Sequence, residues 1–360
     1  MFALDSLKIG AFRGLRDVDL DGLGRVNLLV GPNDSGKTSI LEAVSIFCRP
    51  RDLRSWLNAT WRREAMLNPE DPFFLAMEWM FPHLKLGNGP VECQEIGISG
   101  SGKFLVRDIH ATYEAKTRIG TRVSSQRTEE PYEQPGARIE VKAHFDGRLE
   151  SLDKVFNLWE GEPSPVGGFS AWEAPLVQTV TPVSHRVEAT QMVELSAAAQ
   201  KGLTNGILEM LRSLDPEIRD VRILTPRERP VLYLDYGSSG LIPLSSLGDG
   251  VRRAFLIALA LNSVSGGILM IDEIEFSLHV SALETLFSWL VRACEEFDVQ
   301  LFATTHSLEA IDAMLYAERE NLSRIVAYRL ETLGKSVEAQ RLDGQLLWRM
   351  REERGCDVRL

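Results

Sequence analysis

GPNDSGKTS, residues 31 to 39, fills G-x-x-x-x-G-K-[ST] at every fixed position and follows the apolar run VNLLV, residues 26 to 30. A buried strand, a glycine loop and a helix (TSILEAVSIF) in that order let backbone amides and a helix N-terminus grip a phosphate chain. Gly31 and Gly36 give the backbone the freedom to wrap the phosphates. Lys37 is placed to reach the β and γ phosphates, and the Thr38 hydroxyl to hold Mg²⁺. The stretch predicts an α/β core that takes a nucleoside triphosphate.

The chain has 360 residues, 44% of them hydrophobic and 25% charged, which suits one large globular domain or a domain with a sizeable insertion. No run of about 18 apolar residues is present, and MFALDSLKIG lacks the basic-then-apolar form of a secretory signal, so a cytoplasmic protein without a membrane span is expected. Cys48, Cys93, Cys294 and Cys356 form no C-x-x-C pair, which fits a reduced compartment and argues against a zinc or disulfide framework. A net charge of −11 excludes a generally basic nucleic-acid-coating protein, so any DNA contact must be local.

Three parts follow from the pattern. Residues 1–49 alternate short strand-like runs ahead of the phosphate loop and its helix, and residues 225–345 return to the same character. There, VLYLDYG, the helix VRRAFLIALALNSV, the strand GGILMIDE, another helix and the strand VQLFATTHS predict a parallel sheet covered on both faces. Between them, residues 50–224 read as a compact mixed α/β insertion, a β lobe plus a helical part around Leu203, Ile207, Leu211 and Leu214. Its prolines, among them Pro69, Pro82, Pro131 and Pro182, exclude a long coiled coil. Residues 120–137 are the one candidate flexible tract, and residues 346–360 read as a C-terminal helix.

Four further segments carry chemistry. ILMIDE, 268 to 273, delivers two acids to a sheet edge, with Asp272 suited to orient Mg²⁺ and Glu273 to polarise a water; the alternative is a plain strand with a solvated acidic turn. ATTHS, 303 to 307, places His306 at another edge, where an imidazole can sense a γ-phosphate or serve structure alone. SSLGDGVRRA, 245 to 254, opens a helix on a glycine turn, which is either a second anion site or a simple helix start capped by Ser246 or Asp249. Two phosphate-gripping helix ends so far apart in one chain point to a dimer. RPRDLRSWLNATWRR, 49 to 63, mixes five arginines with Trp56 and Trp61, which suits a nucleic-acid grip or a solvated helix whose tryptophans pack inward.

In order and spacing these motifs resemble the ATP-binding-cassette (ABC) class of P-loop ATPases, and most closely its RecF-like and OLD-like (overcoming lysogenization defect) AAA ATPase branch. The resemblance covers about half of the chain, at both ends, through LKIGAFRGLRDVDLDGLGRVNLLVGPNDSGKTSILEAV, SLGDGVRR, MIDEIEFSLH and ATTHS. It implies a parallel core sheet flanked by helices plus an antiparallel β lobe, ATP and Mg²⁺ as cofactors, and a homodimer that sandwiches ATP. Gly31, Pro32, Asn33, Asp34, Ser35, Gly36, Lys37, Thr38 and Ser39 would form Walker A in one copy. Leu247 to Val251 would be the signature of the other, with Ser246, Gly248, Asp249 and Gly250 at the nucleotide. Thr38 and Asp272 would hold the metal, Glu273 would be the catalytic carboxylate and His306 the switch histidine. Glu275 and His279 match the EIE-x-x-LH extension of this branch, and Arg13 takes a position that lies near the nucleotide in related ATPases.

The departures are as informative. A transporter signature reads LSGGQ where this chain has LGDGV, so Gly248 replaces the serine that would bond the γ-phosphate and Asp249 adds a negative charge. Hydrolysis is therefore expected to be slow unless Arg252, Arg253 or Ser246 supplies a donor in trans. No glutamine identifies a Q-loop, and GSGK, 100 to 103, reads as a β-turn. With 54 residues after His306 in this sequence, no Toprim nuclease domain is expected here, and the resemblance then implies an ATPase that works with a separately encoded nuclease or effector, in phage defence or DNA repair. A RecF-type recombination mediator is the alternative, although EFSLH stands where that protein's D-loop resembles SELD. A transporter's nucleotide-binding subunit fits least, given the long stretch before the signature.

Overall fold

Five consecutive apolar residues leave no face of a strand for water, so VNLLV belongs where a sheet is covered on both sides. In the computed structural model Val26–Val30 is buried along its whole length between two parallel neighbours. The structure describes residues 2–61, 73–85, 91–93, 95–104, 106–123, 129–147, 151–162, 176–186, 188–334 and 336–359.

The hairpin β1 (Ser6–Phe12) and β2 (Leu15–Asp21) precedes β3 (Val26–Val30), and α1 (Lys37–Cys48) leaves the phosphate loop. Helices α2 (Leu53–Trp61) and α3 (Phe73–Glu78) and the ribbon β4 (His83–Lys85) with β5 (Val91–Cys93) lead to β6 (Ile96–Ser101). A long hairpin, β7 (Val106–Val123) and β8 (Glu129–Phe145), is followed by β9 (Leu152–Trp159), β10 (Val177–Val180), α4 (Glu188–Gln200) and α5 (Thr204–Leu214). A meander of β11 (Ile218–Leu224), β12 (Val231–Tyr236) and β13 (Gly240–Pro243) opens onto α6 (Asp249–Ser263). Then β14 (Ile268–Ile271), α7 (Val280–Glu296), β15 (Gln300–Thr305), α8 (Leu308–Ala317), β16 (Ile325–Leu333), β17 (Ser336–Asp343) and α9 (Gly344–Trp348) complete the chain order.

The core sheet runs β10-β14-β15-β3-β16-β17, parallel except for β17 at one edge. Alternate residues of its strands feed two cores. Val26, Leu28, Leu269 and Ile271 pack with Ile207 of α5, Phe255 of α6 and Leu290 of α7. Leu29, Ile268, Met270 and Phe302 pack on the other side with Ile40 and Val44 of α1 and with Ile9 and Val18 of the β lobe. This is the α/β architecture expected, a parallel sheet flanked by helices with an antiparallel lobe. Among the described residues the longest helix, α7, has 17 residues, so no long coiled coil is present there.

Residues 50–224 do not fold as a separate insertion. β6 to β9 extend the sheet of β1 and β2 in the order β2-β1-β6-β7-β8-β9, and β10 is the edge strand of the core sheet beside β14. The reason is register: Ser6↔Ser101 and Val177↔Ile268 are pairings between strands far apart in the chain, which local patterning cannot reveal. Thr204–Leu214 is the helix expected around Leu203 to Leu214, with Ile207 and Leu211 buried. The C-terminal helix is shorter than residues 346–360: α9 starts at Gly344 on an Asp343 cap and passes into a π-helical turn, Arg349–Glu353. GSGK ends β6, and a Cβ on Gly102 would lie 2.4 Å from the Ala3 carbonyl, so backbone rather than ligand fills that glycine's space.

Candidate functional site

The loop after β3 is built from residues in the left-handed region. Gly31 has φ 148, Asp34 φ 61 and Gly36 φ 92. A Cβ on Gly31 would stand 2.7 Å from the Leu330 carbonyl oxygen, and one on Gly36 would stand 2.6 Å from Leu15 Cδ2, so the two glycines fixed by the motif are also those the packing demands. Lys37 opens α1, and its Nζ donates to the carbonyls of Pro32 (2.7 Å) and Gly31 (2.8 Å). Burial pushes its pKa down, against the pull of Asp272, Glu273, Glu275 and Asp34. The first turn of α1 holds no acidic side chain, which leaves its positive end open to an anion.

β14 delivers the two acids beside that loop. The Asp272 carboxylate accepts from Thr304 Oγ1 at 2.6 Å and from Thr38 Oγ1 at 3.2 Å. One hydroxyl and one carboxylate side by side are hard oxygen donors, the partial set that Mg²⁺ takes when phosphates and water supply the rest. Glu273 has φ 48, and its N–H donates to Thr304 Oγ1 at 2.8 Å. Burial, then the charge of Asp272, raises the Glu273 pKa, with His306 opposing.

His306 stands between β15 and the Ser307 cap of α8. Its backbone N–H and its Nδ1 both face Glu275 Oε1, at 3.2 and 3.3 Å, and Arg359 donates to its carbonyl at 2.8 Å. Arg13 has φ 50, donates to the buried Glu42 carboxylate at 2.6 Å and also reaches the Trp79 carbonyl. A cleft of about 1600 Å³ gathers Arg13, Lys37, Thr38, Asp272, Glu273 and His306 on its walls, with Asn33, Asp34, Ser35, Gly36 and Ser39 of the loop. Thr181, Pro182 and Val183 after β10 also line it, and no glutamine is among its lining residues.

The turn at residues 246–250 lies elsewhere. Ser246, Gly248, Asp249 and Gly250 are absent from the walls of that cleft, with Ser246 and Gly248 exposed. Gly248 caps α6, and a Cβ on Gly250 would come 3.1 Å from the Ser277 carbonyl. The Asp249 carboxylate is held by Arg252 (3.1 Å) and Arg186 (3.3 Å), with His185 Nε2 at 3.4 Å beside it, so the two arginines balance locally the charge that LGDGV introduces. Arg253 is not available to another copy: it is 0% exposed and donates to the carbonyls of Thr181, Asp272 and Glu273 at 2.8, 2.9 and 2.8 Å. Burial pushes its pKa down to about 10, against Asp272, Glu273 and Glu275, and the guanidinium lies over the Phe276 ring.

Thr304 is the site residue that pattern reading missed, and Arg253, read there as a donor in trans, instead holds carbonyls of its own chain. The signals lie in RR after GDG and in ATTHS, but the partners of both residues lie just after β10 and β14, far away in the chain. For the segment 49–63, Trp56 is fully buried, stacks on Phe81 and donates to the Pro50 carbonyl at 2.9 Å. It offers no face to a base. Arg62 and Arg63 of that segment lie outside the described residues, as do 124–128 of the candidate flexible tract.

Comparison with known proteins agrees with this geometry. Residues 3–130 match the family described as "AAA ATPase domain", and residues 183–312 match that described as "AAA domain, putative AbiEii toxin, Type IV TA system". The chain is 34% identical to the uncharacterized protein MJECL11 of Methanocaldococcus jannaschii over 115 residues, 31% of this chain and 99% of that protein. It is 32% identical over 105 residues to the DNA replication and repair protein RecF of Pseudomonas aeruginosa, 29% of this chain but only 26% of RecF. The crystal structure of the SmcHead bound to the C-winged helix domain of ScpA shares the fold, with a TM-score of 0.51 and 10% identity over 94% of this chain and 98% of that one. Among the described residues no helix is long and apolar enough to cross a membrane. The chain therefore belongs to one family with MJECL11, carries AAA-type ATPase domains on the fold of an ABC ATPase, and is similar to RecF over 105 residues.

Proposed function

We propose that this protein is an ATP-operated switch: it binds and slowly hydrolyses ATP with Mg²⁺, and two copies close on the nucleotide as a homodimer. One observation carries the reading. The Walker residues converge on one cleft while Ser246, Gly248, Asp249 and Gly250 of the same chain are not among its walls, which supports a reading in which the signature meets ATP in another copy. Bound Mg²⁺ would supply charge neutralisation at the phosphates. Lys37 would exchange its loop carbonyls for phosphate oxygens, and Thr38 with Asp272 would hold the metal. Glu273, whose raised pKa makes its carboxylate a stronger base, would take a proton from water. With Nδ1 facing Glu275, His306 would present Nε2 to the γ-phosphate.

The output would lie in a partner, a separately encoded nuclease or effector in phage defence or DNA repair. The SMC head of the similar structure carries a winged-helix domain of ScpA, a second subunit on the same fold. A RecF-type mediator that binds DNA is the second reading, favoured by the 32% identity over 105 residues. Lys37→Ala is expected to lower ATP affinity about a hundredfold, the effect of removing a charge-assisted phosphate contact in a buried site. Fluorescent-ATP titration checks it, and unchanged affinity would remove the nucleotide site itself.

A further inference from the structure

We propose that Arg186 is a nucleotide-binding residue that acts in trans, donating to the γ-phosphate of ATP held in the cleft of the partner copy. This rests on the sandwich reading above. The signature position that would carry a serine hydroxyl is Gly248, which has no side chain to donate. Three arginines surround the Gly-Asp-Gly turn, and the structure separates them by what they already do. Arg253 is wholly buried and its guanidinium serves backbone carbonyls of its own chain. Arg252 is mostly buried, with one nitrogen on Asp249 and another on the His185 carbonyl. Arg186 has a side chain 58% exposed, and its NH2 reaches Asp249 Oδ2 at 3.3 Å.

The segment beneath Arg186 is fixed while its head is open to solvent. Asp272 N–H donates to the Val180 carbonyl, and Arg253 donates to the Thr181 carbonyl. Ser184 Oγ accepts from the Thr181 N–H and closes the turn Ser184–Arg186. The residue before Arg186 is the fully buried His185, whose ring nitrogens make no complete hydrogen bond and whose Nε2 stands 3.4 Å from Asp249. If Arg186 swings to a phosphate, Asp249 keeps Arg252 and His185 beside it, so the exchange strands no carboxylate. A guanidinium matches a phosphate oxygen pair better than the single hydroxyl it would replace, and it turns Asp249 from a repulsive group into the one that stores the arginine.

The test uses the full chain carrying Glu273→Gln, so that bound ATP is retained. With Arg186 intact, ATP converts this protein to a dimer. Adding Arg186→Ala is expected to weaken ATP-dependent dimerisation about ten- to a hundredfold, as loss of one charge-assisted bond does, and to leave fluorescent-ATP affinity of the monomer within about twofold. Arg186→Lys recovers part of the loss. In the otherwise unaltered chain, Lys37→Ala protein and Arg186→Ala protein are each expected to be nearly inactive. Their mixture regains hydrolysis, because one site of the mixed dimer joins the intact Lys37 of one copy to the intact Arg186 of the other. Dimerisation indifferent to Arg186→Ala, or a mixture no more active than its parts, overturns the inference alone. Absence of an ATP-dependent dimer with Arg186 intact overturns the sandwich reading and the inference together.

Discussion

Glu273 sits at φ 48, a conformation that costs a non-glycine residue about 1 kcal/mol or more and persists only where the surroundings enforce it. Three contacts do so here: Thr304 Oγ1 takes its N–H, Arg253 takes its carbonyl, and Arg253 also takes the Asp272 carbonyl. The acid that would polarise water is thus aimed by a residue of α6. Arg253→Met would leave the carbonyls of Thr181, Asp272 and Glu273 without their buried donor. It is expected to destabilise the fold by about 3 kcal/mol or more in chemical denaturation, with Arg253→Lys recovering only part because an ammonium cannot fork to all three. An unchanged midpoint would show that Arg253 does not hold this turn. The sequence announced Asp272 and Glu273, because acids at the end of an apolar strand are a local signal. For Arg253, read there as a donor in trans, it could not announce the actual role, which depends on carbonyls 19 and 72 residues away.

At the scale of elements, legibility followed the same division. β3, β14 and β15 were plain in the sequence because strands buried on both faces read as continuous apolar runs. β10 was not, since VQTV is four residues without a period and joins the sheet only by pairing with β14. Its contact with α4 carries a titration. Gln178 of β10 donates to Glu194 of α4 at 2.9 Å, and burial raises the Glu194 pKa from 4.5 to about 7. The folded chain then keeps a proton that the unfolded chain gives up between those values, so stability falls as pH rises through that window and the contribution is gone above it. Glu194→Gln removes the titration. Its melting temperature relative to the unaltered protein is expected to rise from pH 4.5 to pH 8, and a difference that is constant with pH would contradict the linkage.

Across the whole molecule, β3 joins the two cores, one under α5, α6 and α7 and the other under α1 and the β lobe. The glycine loop after β3 hangs from that shared strand, while Gly248 caps α6 and does not line the cleft. The separation of the two glycine turns along the sequence pointed to a dimer, and in the fold the turn at residues 246–250 does not line the cleft that holds the first, so under the proposed function a second copy has a physical task. The central claim is that ATP closes two copies on each other. Light scattering coupled to size-exclusion chromatography of the Glu273→Gln protein measures it directly: the account predicts a monomer without nucleotide and a dimer of twice the 40.3 kDa chain with ATP and Mg²⁺, and a protein that binds ATP yet stays monomeric would contradict it.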